Sequence, residues 1–248
     1  MTGHIAVTDD GGVRTIRINR PEKKNALTLA MYLAMTEALR DADRNGEIRC
    51  VLFAGAPDAF TAGNDLADFM KAADGGLDPR AHEFITSLAR MQKPMVAAVN
   101  GVAVGLGTTM LLHCDHVVAG TGAKLTTPFL KLGLIPEAAS TLLAPVRMGH
   151  ARAFALLVMG RPLSAEEAKE VGLVNIVVSP AEVDGTALKA AREIAALPAR
   201  AVALARGLMR TQQDTILKRM EEESKHYKDL LQSDEARAAF QAFFARNK

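Results

Sequence analysis

The sequence predicts an α/β fold that ends in a helical C-terminal region, and three features support this class. Short apolar segments alternate with helical patterns over most of the chain. Two of these segments, Cys50–Ala54 and Met95–Val99, are apolar without alternation, which is typical of parallel strands covered on both faces. From Val183 onward the pattern is helical. Strands that alternate with helices in this way favour βαβ units.

The N-terminal elements follow from turn and cap signals. Val13–Ile18 alternates between apolar and polar residues and is predicted to be a strand. Ile5–Thr8 is expected to pair with it across the turn Asp10-Gly11-Gly12. A helix is predicted from Leu29 to Asn45, with Gly46 at its C-terminal end.

Later elements follow from the same rules. They are helices from Arg80 to Met91 and from Leu106 to His113, a strand at Val117–Ala119, a short helix opened by the capping box at Ser164 and ended by Gly172, and a strand at Val174–Val178. The helical pattern after Val183 is interrupted near Pro198. We expect an α/β core over residues 1–185 and a helical region over residues 186–248.

Composition excludes several function classes. The chain has 248 residues, 49% of them hydrophobic, and a net charge of +2 without a long run of one sign. We therefore expect a globular protein with no nucleic-acid partner. It has no apolar run of ~18 residues, so no membrane segment is predicted, and the N-terminus lacks a signal core. Cys50 and Cys114 are expected to be reduced core residues, no metal site is predicted, and a cytoplasmic location is expected.

One glutamate stands out in a segment that is otherwise almost wholly apolar. Glu137 follows Pro128–Pro136, and two glycine-containing loops upstream, Ala62–Leu66 and Gly105–Gly107, can present backbone N–H groups. One isolated base and two backbone N–H donors are the groups that an enzyme needs to remove a proton from the carbon beside a carbonyl group. The pattern alone equally allows Glu137 to be a solvated residue in the first turn of a helix, which Pro136 would announce.

Four segments in this order resemble the crotonase, or enoyl-CoA hydratase/isomerase, superfamily. They are Asn19–Leu27, Ala59–Leu66, Lys93–Asp115 and Gly160–Val174. The resemblance implies the crotonase (ClpP-like) fold, a spiral of ββα units. It also implies that residues 186–248 form a trimerisation region, that the protein is a homotrimer or a dimer of trimers, and that no cofactor is needed, since coenzyme A is part of the substrate.

The resemblance also distinguishes between reactions. Hydratases of this superfamily carry two glutamates, and the matching positions here hold Thr109 and Phe129. The segments around Ala62–Leu66, Gly105–Gly107 and Glu137 are instead similar to the peroxisomal-type Δ3,Δ2-enoyl-CoA isomerases. This implies that Glu137 is the catalytic base and that the N–H groups of Asn64 and Leu106 stabilise the oxyanion while a double bond moves from the 3 to the 2 position.

The remaining site residues are also implied by the resemblance. The substrate-binding residues expected from it are Lys24, Ala26, Ala62, Gly63, Asn64, Asp65, Leu66, Gly105, Leu106 and Phe129. Two alternatives stay open on the sequence. One is a hydratase or another superfamily reaction on an acyl-CoA, which would use a different base. The other is a catalytically inactive CoA-binding protein.

Overall fold

The computed structural model describes residues 3–56, 58–65, 79–210 and 213–246. Its first sheet contains six strands in the spatial order β1-β2-β3-β5-β7-β10. Their bounds are β1 Ile5–Asp10, β2 Val13–Ile18, β3 Cys50–Ala54, β5 Met95–Val99, β7 His116–Gly120 and β10 Ile176–Val178. β1 and β2 form an antiparallel hairpin, and the other neighbours are parallel. The predicted hairpin and the predicted parallel strands are confirmed.

A second, smaller sheet contains strands that the sequence did not predict. Its spatial order is β4-β6-β8-β9, with β4 Ala59–Thr61, β6 Val102–Val104, β8 Lys124–Thr126 and β9 Leu163–Ser164. The first three are parallel, and β9 is antiparallel to β8. These strands have only two or three residues, which is too short for an alternating pattern to be recognised.

Ten α-helices are found in the described parts of the chain. They are α1 Leu29–Arg44, α2 Pro79–Arg90, α3 Leu106–Thr109, α4 Ser140–Met148, α5 His150–Leu157, α6 Ala165–Glu170, α7 Val183–Ala195, α8 Ala199–Met209, α9 Gln213–Leu231 and α10 Asp234–Arg246. A 3-10 turn, Met110–His113, continues α3, and others lie at Pro21–Lys23, Leu130–Leu132 and Pro180–Glu182. The predicted capping box at Ser164 is present.

The central strands β3 and β5 of the first sheet are buried on both faces. Along β3, Cys50, Leu52 and Ala54 pack with α7 in one cluster, whereas Val51 and Phe53 belong to the main core. This arrangement explains why β3 has no polar positions. α7 spans Val183–Ala195, so the predicted boundary at residue 185 lies within it. The division into a core and a trimerisation region stays a prediction.

The C-terminal helices pack over the segment that leads to Glu137. Phe129 and Leu134 form a cluster with side chains of α9 and α10, which are Tyr227, Leu231, Ala236 and Phe240. This contact brings the end of the chain next to a loop about 100 residues earlier in sequence, as the residue numbers show. Within the described residues, no helix is both long enough and apolar enough to cross a membrane.

The predicted end of the first helix is confirmed: α1 ends at Arg44, Asn45 is the cap residue in extended geometry, and Gly46 follows it directly. One local alternative for Glu137 is wrong. Glu137 is not in the first turn of a helix, because α4 begins at Ser140. Pro136 therefore does not mark a helix start, and Glu137 sits in an irregular loop before α4.

Candidate active site

The two glycine-containing loops lie side by side because the strands before them are paired. β4 and β6 are parallel neighbours, with Thr61 opposite Ala103. The residues that follow each strand, including Asn64 and Leu106, therefore emerge at the same edge of the second sheet. Leu106 is the first residue of α3, where the N–H has no partner inside the helix. Within the described residues, no hydrogen bond is found for the N–H of Asn64 or of Leu106.

Close packing between the two loops requires glycine at two positions. Gly63 has φ +84°, and a Cβ there would lie 2.9 Å from the carbonyl oxygen of Val104. A Cβ on Gly107 would lie 2.5 Å from Cγ2 of Thr61. Any larger residue would push the loops apart, so these glycines fix the distance between them.

The segment around Lys24 and Ala26 holds the first loop through its backbone. The N–H of Ala62 donates to the carbonyl oxygen of Lys24 at 2.9 Å, and Leu27 exchanges hydrogen bonds with Gly63 and Asp65, both at 2.8 Å. The carbonyl oxygen of Ala26 accepts a hydrogen bond from Arg20, which also pairs with Asp65 at 2.6 Å. The Lys24 side chain is exposed.

Glu137 leads into a turn with an unusual backbone. Ala138 and Ala139 have φ values of +64° and +52°, a region that residues other than glycine seldom adopt. The carbonyl oxygen of Ala138 lies 2.8 Å from Nε2 of His113. Since an oxygen can only accept, Nε2 carries the proton, and burial lowers the pKa of His113 to about 4. His113 is therefore a neutral donor to this turn.

A cavity opens where the first loop, the Glu137 turn and three helices meet. Its lining includes Asn64 and Asp65 from the loop, Glu137 and Ala138 from the turn, Tyr32 from α1, His82 and Ile85 from α2, and Met220, Glu223, Tyr227 and Lys228 from α9. Among the residues that the structure describes, the other predicted site residues are not part of this lining: Lys24, Ala26, Ala62, Gly63, Gly105, Leu106 and Phe129. The ring of Phe129 packs near Gly105.

Glu137 is only partly buried as a residue, because it faces the cavity, but its Oε1 is inaccessible to solvent. Among the described residues, that oxygen has no hydrogen-bond partner. Burial and, to a smaller extent, the nearby negative charge of Glu223 together raise the pKa of Glu137 to about 8. No helix begins at Glu137, so no helix N-terminus stabilises its charged form, and the effect of burial dominates.

Glu223 differs from Glu137 in that its oxygens are occupied. Its Oε2 accepts a hydrogen bond from the N–H of Ala139 at 2.6 Å. Its Oε1 accepts from the N–H and the hydroxyl of Thr141, at 3.2 Å and 2.5 Å. Burial raises the pKa of Glu223, whereas these hydrogen bonds and Arg219 act to lower it. Glu223 thus binds the start of α4, where backbone N–H groups have no helical partners.

Two tyrosines, Tyr32 and Tyr227, also line the cavity. The hydroxyl of Tyr32 donates a hydrogen bond to Oδ1 of Asn64, which fixes the side chain of the residue that carries one candidate oxyanion donor. Burial raises the pKa of Tyr32 and of Tyr227 well above the usual value, so both are neutral hydroxyls.

The two positions that match the hydratase glutamates carry neutral, buried side chains. Thr109 is fully buried, and its hydroxyl lies 3.4 Å from the carbonyl oxygen of Gly105. Phe129 is 5% exposed and packs in the cluster under α9 and α10. Neither can move a proton.

Sequence reasoning missed the contributions of α1, α2 and α9. A signal for Glu223 was present: α9 carries a buried stripe of Ile216, Met220, Glu223, Tyr227 and Leu231. A glutamate within such a helical stripe indicates a buried polar contact. Leu66, also predicted to bind substrate, lies outside the described residues. No cluster of three or more potential metal ligands occurs in the parts of the chain that the structure describes.

Comparisons with known proteins identify the family. The profile described as "Enoyl-CoA hydratase/isomerase" matches residues 8–248. The 1,2-epoxyphenylacetyl-CoA isomerase of Escherichia coli K12 is 40% identical over 194 residues, which are 75% of this chain and 74% of that protein. Enoyl-CoA delta isomerase 2 of Rattus norvegicus is 37% identical over 88% of this chain, and the match spans 57% of the rat protein.

Solved structures agree with this identification. OdaA of Pseudomonas aeruginosa superposes with a TM-score of 0.94 at 40% identity, covering 98% of this chain and 99% of that one. An enoyl-CoA hydratase/isomerase from Pseudoalteromonas atlantica T6c gives a TM-score of 0.93 at 37% identity, covering 98% and 97%. The chain belongs to the enoyl-CoA hydratase/isomerase family and has the crotonase fold, so it is an acyl-CoA enzyme of that family.

Proposed function

We propose that this member of the enoyl-CoA hydratase/isomerase family moves the double bond of an enoyl-CoA from the 3 to the 2 position, with Glu137 as the only base. One observation carries the proposal. Glu137 lines the cavity next to the loop that holds Asn64, and its Oε1 is buried without a hydrogen-bond partner among the described residues. An unpartnered buried carboxylate is costly unless a ligand uses it.

The reaction is a proton shuttle. Glu137 removes a proton from the carbon beside the thioester carbonyl, and negative charge moves onto the thioester oxygen. The same carboxyl group returns the proton two carbons further along the acyl chain. One carboxylate can make both proton transfers on one face of the substrate. A carboxyl group with a pKa of about 8 keeps the proton at neutral pH after the first transfer and before the second.

The thioester oxygen needs fixed donors while it carries the charge. The N–H groups of Asn64 and Leu106 are the candidates, since both are free of partners in the described residues and their strands are adjacent. Each such donor contributes about 3 kcal/mol to transition-state stabilisation in comparable sites. The helix that begins at Leu106 adds favourable potential for an anion.

Hydration is disfavoured because it requires a second working carboxyl group. One must activate water while the other delivers a proton. Glu223 lines the same cavity, but Ala139 and Thr141 engage both of its oxygens. Thr109 and Phe129 supply no substitute. The unused Glu137 oxygen argues against the alternative of an inactive CoA-binding protein.

A second candidate is suggested by one relative. The Escherichia coli protein that is 40% identical is named for an isomerisation of 1,2-epoxyphenylacetyl-CoA. This candidate uses the same family and the same cavity, and it differs in the acyl group. The expected homotrimer or dimer of trimers, and the expected lack of any cofactor besides the coenzyme A of the substrate, remain part of the proposal.

The decisive experiment compares substrates. The purified protein is incubated separately with 3-enoyl-CoA, 2-enoyl-CoA and 1,2-epoxyphenylacetyl-CoA, and the conjugated thioester chromophore and the products are followed. Formation of 2-enoyl-CoA from 3-enoyl-CoA, at a rate orders of magnitude above hydration of 2-enoyl-CoA, is expected. Comparable hydration would contradict the proposal, and turnover of the epoxide alone would favour the second candidate.

A further inference from the structure

We propose that Glu223 is a positioning residue for Glu137: its carboxylate holds the backbone turn that aims Glu137 into the cavity, and it places a second negative charge beside that side chain. The inference rests on the proposed role of Glu137 as the base. Glu223 comes from α9, far along the chain from Glu137. Its carboxylate oxygens accept hydrogen bonds from Ala139 and Thr141.

The turn after Glu137 needs external support. Ala138 and Ala139 both have left-handed backbone conformations, which alanine adopts only when surrounding contacts hold it there. Their φ angles determine the direction in which the preceding side chain, that of Glu137, projects. Without support the two alanines would relax to negative φ, and the carboxyl group would move away from its present place.

Contacts hold this turn from two sides. On one side, the Glu223 carboxylate accepts from the N–H of Ala139 at 2.6 Å and from the N–H and hydroxyl of Thr141. On the other side, Nε2 of His113 donates to the carbonyl oxygen of Ala138 at 2.8 Å. Glu223 is 4% exposed, so water does not compete for these bonds.

The charged form of Glu223 suits this arrangement. All three of its hydrogen bonds come from donors, so its oxygens act only as acceptors. Arg219 supports the same network, because its Nη1 donates to the Thr141 hydroxyl at 3.2 Å. Glutamine at position 223 could accept with its one oxygen, but its NH2 group would face the N–H of Ala139 or of Thr141, and at least one hydrogen bond to the turn would be lost.

Electrostatics give the proposal a second consequence. The titratable groups that line the cavity or contact the Glu137 turn are Tyr32, Asp65, His82, His113, Glu223, Tyr227 and Lys228. Burial keeps both tyrosines and His113 neutral at pH 7. Besides burial, the charge that raises the pKa of Glu137 is that of Glu223. Removing it should weaken Glu137 as a base.

The test is steady-state isomerisation of 3-enoyl-CoA by Glu223→Gln across the pH range. The kcat is expected to fall at least about tenfold, because a misplaced catalytic group loses its alignment, while KM stays within about twofold. The inflection in the pH profile of kcat/KM is expected to move to lower pH. If Glu223 only stabilised the fold, its replacement would lower the melting temperature and leave the inflection in the pH profile in place.

Two controls define the effect. Glu221→Gln removes an exposed glutamate from the same helix and is expected to leave kcat and the inflection unchanged. The double variant Glu137→Gln/Glu223→Gln is expected to be no slower than Glu137→Gln, because Glu223 acts only through Glu137. An additional loss in the double variant would overturn the proposal, since Glu223 would then act on the substrate directly.

The outcomes separate this inference from the proposed function. An active Glu137→Gln would refute the base itself. An inactive Glu137→Gln combined with a wild-type pH profile and kcat in Glu223→Gln would refute only the positioning role. If Glu223→Gln does not fold, Thr141→Val removes the hydroxyl that donates to Glu223 and accepts from Arg219, and it keeps the N–H of residue 141. That variant should lose about threefold in kcat without a change in KM, and an unchanged kcat would overturn the proposal.

Discussion

Glu137 and Glu223 line the same cavity but differ in how their oxygens are used. Glu223 accepts three hydrogen bonds from Ala139 and Thr141, whereas Oε1 of Glu137 has no partner among the described residues. The first carboxylate is therefore fixed in the fold, and the second is held beside it with a raised pKa. The proposed chemistry and the predictions below follow from this difference.

Replacing Glu137 with glutamine tests the base. Glu137→Gln keeps the size of the side chain and removes the proton acceptor. Turnover of 3-enoyl-CoA is expected to fall at least ~100-fold, the usual lower bound for a positioned acid–base group. Deuterium exchange beside the thioester should vanish in parallel, and binding of CoA esters should change little. A variant that retains more than about a tenth of the activity would show that another group is the base.

The rate should depend on pH through the ionisation of Glu137. A base must be deprotonated in the free enzyme, and burial raises the pKa of Glu137 to about 8. We expect kcat/KM to rise about tenfold per pH unit below that pKa and to level off above it. His113 does not contribute to this rise of kcat/KM with pH, because burial lowers the pKa of His113 to about 4. A profile that is flat between pH 6 and pH 9 would contradict a buried base.

The ionisation of Glu137 should also affect the unfolding free energy. This free energy should fall as the pH rises, whereas kcat/KM should increase. The unfolded chain ionises at the ordinary pKa of 4.5 and the folded chain at about 8, so the folded state binds more protons between these values. Unfolding free energy is therefore lost as the pH rises through this window, by an amount on the order of several kcal/mol.

Glu137→Gln does not ionise, so it should exceed the wild type in stability at pH 9 and match it more closely at pH 5. Denaturant titrations of both proteins at these two pH values measure the difference, with Glu221→Gln as the control for loss of an exposed charge. An equal gap at both pH values would mean that Glu137 is not buried as a neutral acid.

The second loop can be tested by removing one N–H. Leu106 is the first residue of α3, where proline is compatible with the helix, so Leu106→Pro deletes the donor, although its ring also strains the turn at Gly105. The Leu106 side chain is buried, and Leu106→Ala is the matched control, since it loses the packing and keeps the N–H. The kcat of Leu106→Pro should fall by about 100-fold relative to Leu106→Ala. Equal activities would exclude the N–H of residue 106 as an oxyanion donor.

Restoring the two hydratase carboxylates should not create a hydratase. Phe129→Glu places a carboxyl group in a packed apolar cluster with Tyr227 and Phe240, and the loss of an aromatic ring alone costs about 3 kcal/mol or more. Thr109→Glu adds a larger side chain at a fully buried position. We expect the double variant to be strongly destabilised, as measured by thermal unfolding. A stable double variant that hydrates 2-enoyl-CoA would show that these costs are smaller.

The local pattern of the sequence determined much of this protein. Strands such as Cys50–Ala54, the capping box at Ser164 and the break near Pro198 follow from residues close in the chain, and the structure agrees. Glu137 was identifiable from the sequence because a charged residue within an apolar segment is unusual in any fold. The roles of Lys24, Ala26 and the loop residues came from resemblance to a family and remain predictions.

Tertiary structure alone decided what surrounds Glu137. Tyr32 and Glu223 reach the cavity from α1 and α9, and no local pattern specifies contacts across about 100 residues. Glu223 follows Glu221 and Glu222, and only the packing of α9 buries one of the three. Helix packing therefore set the pKa of Glu137, because burial and the distance between charges are properties of the folded chain and not of the sequence around the residue.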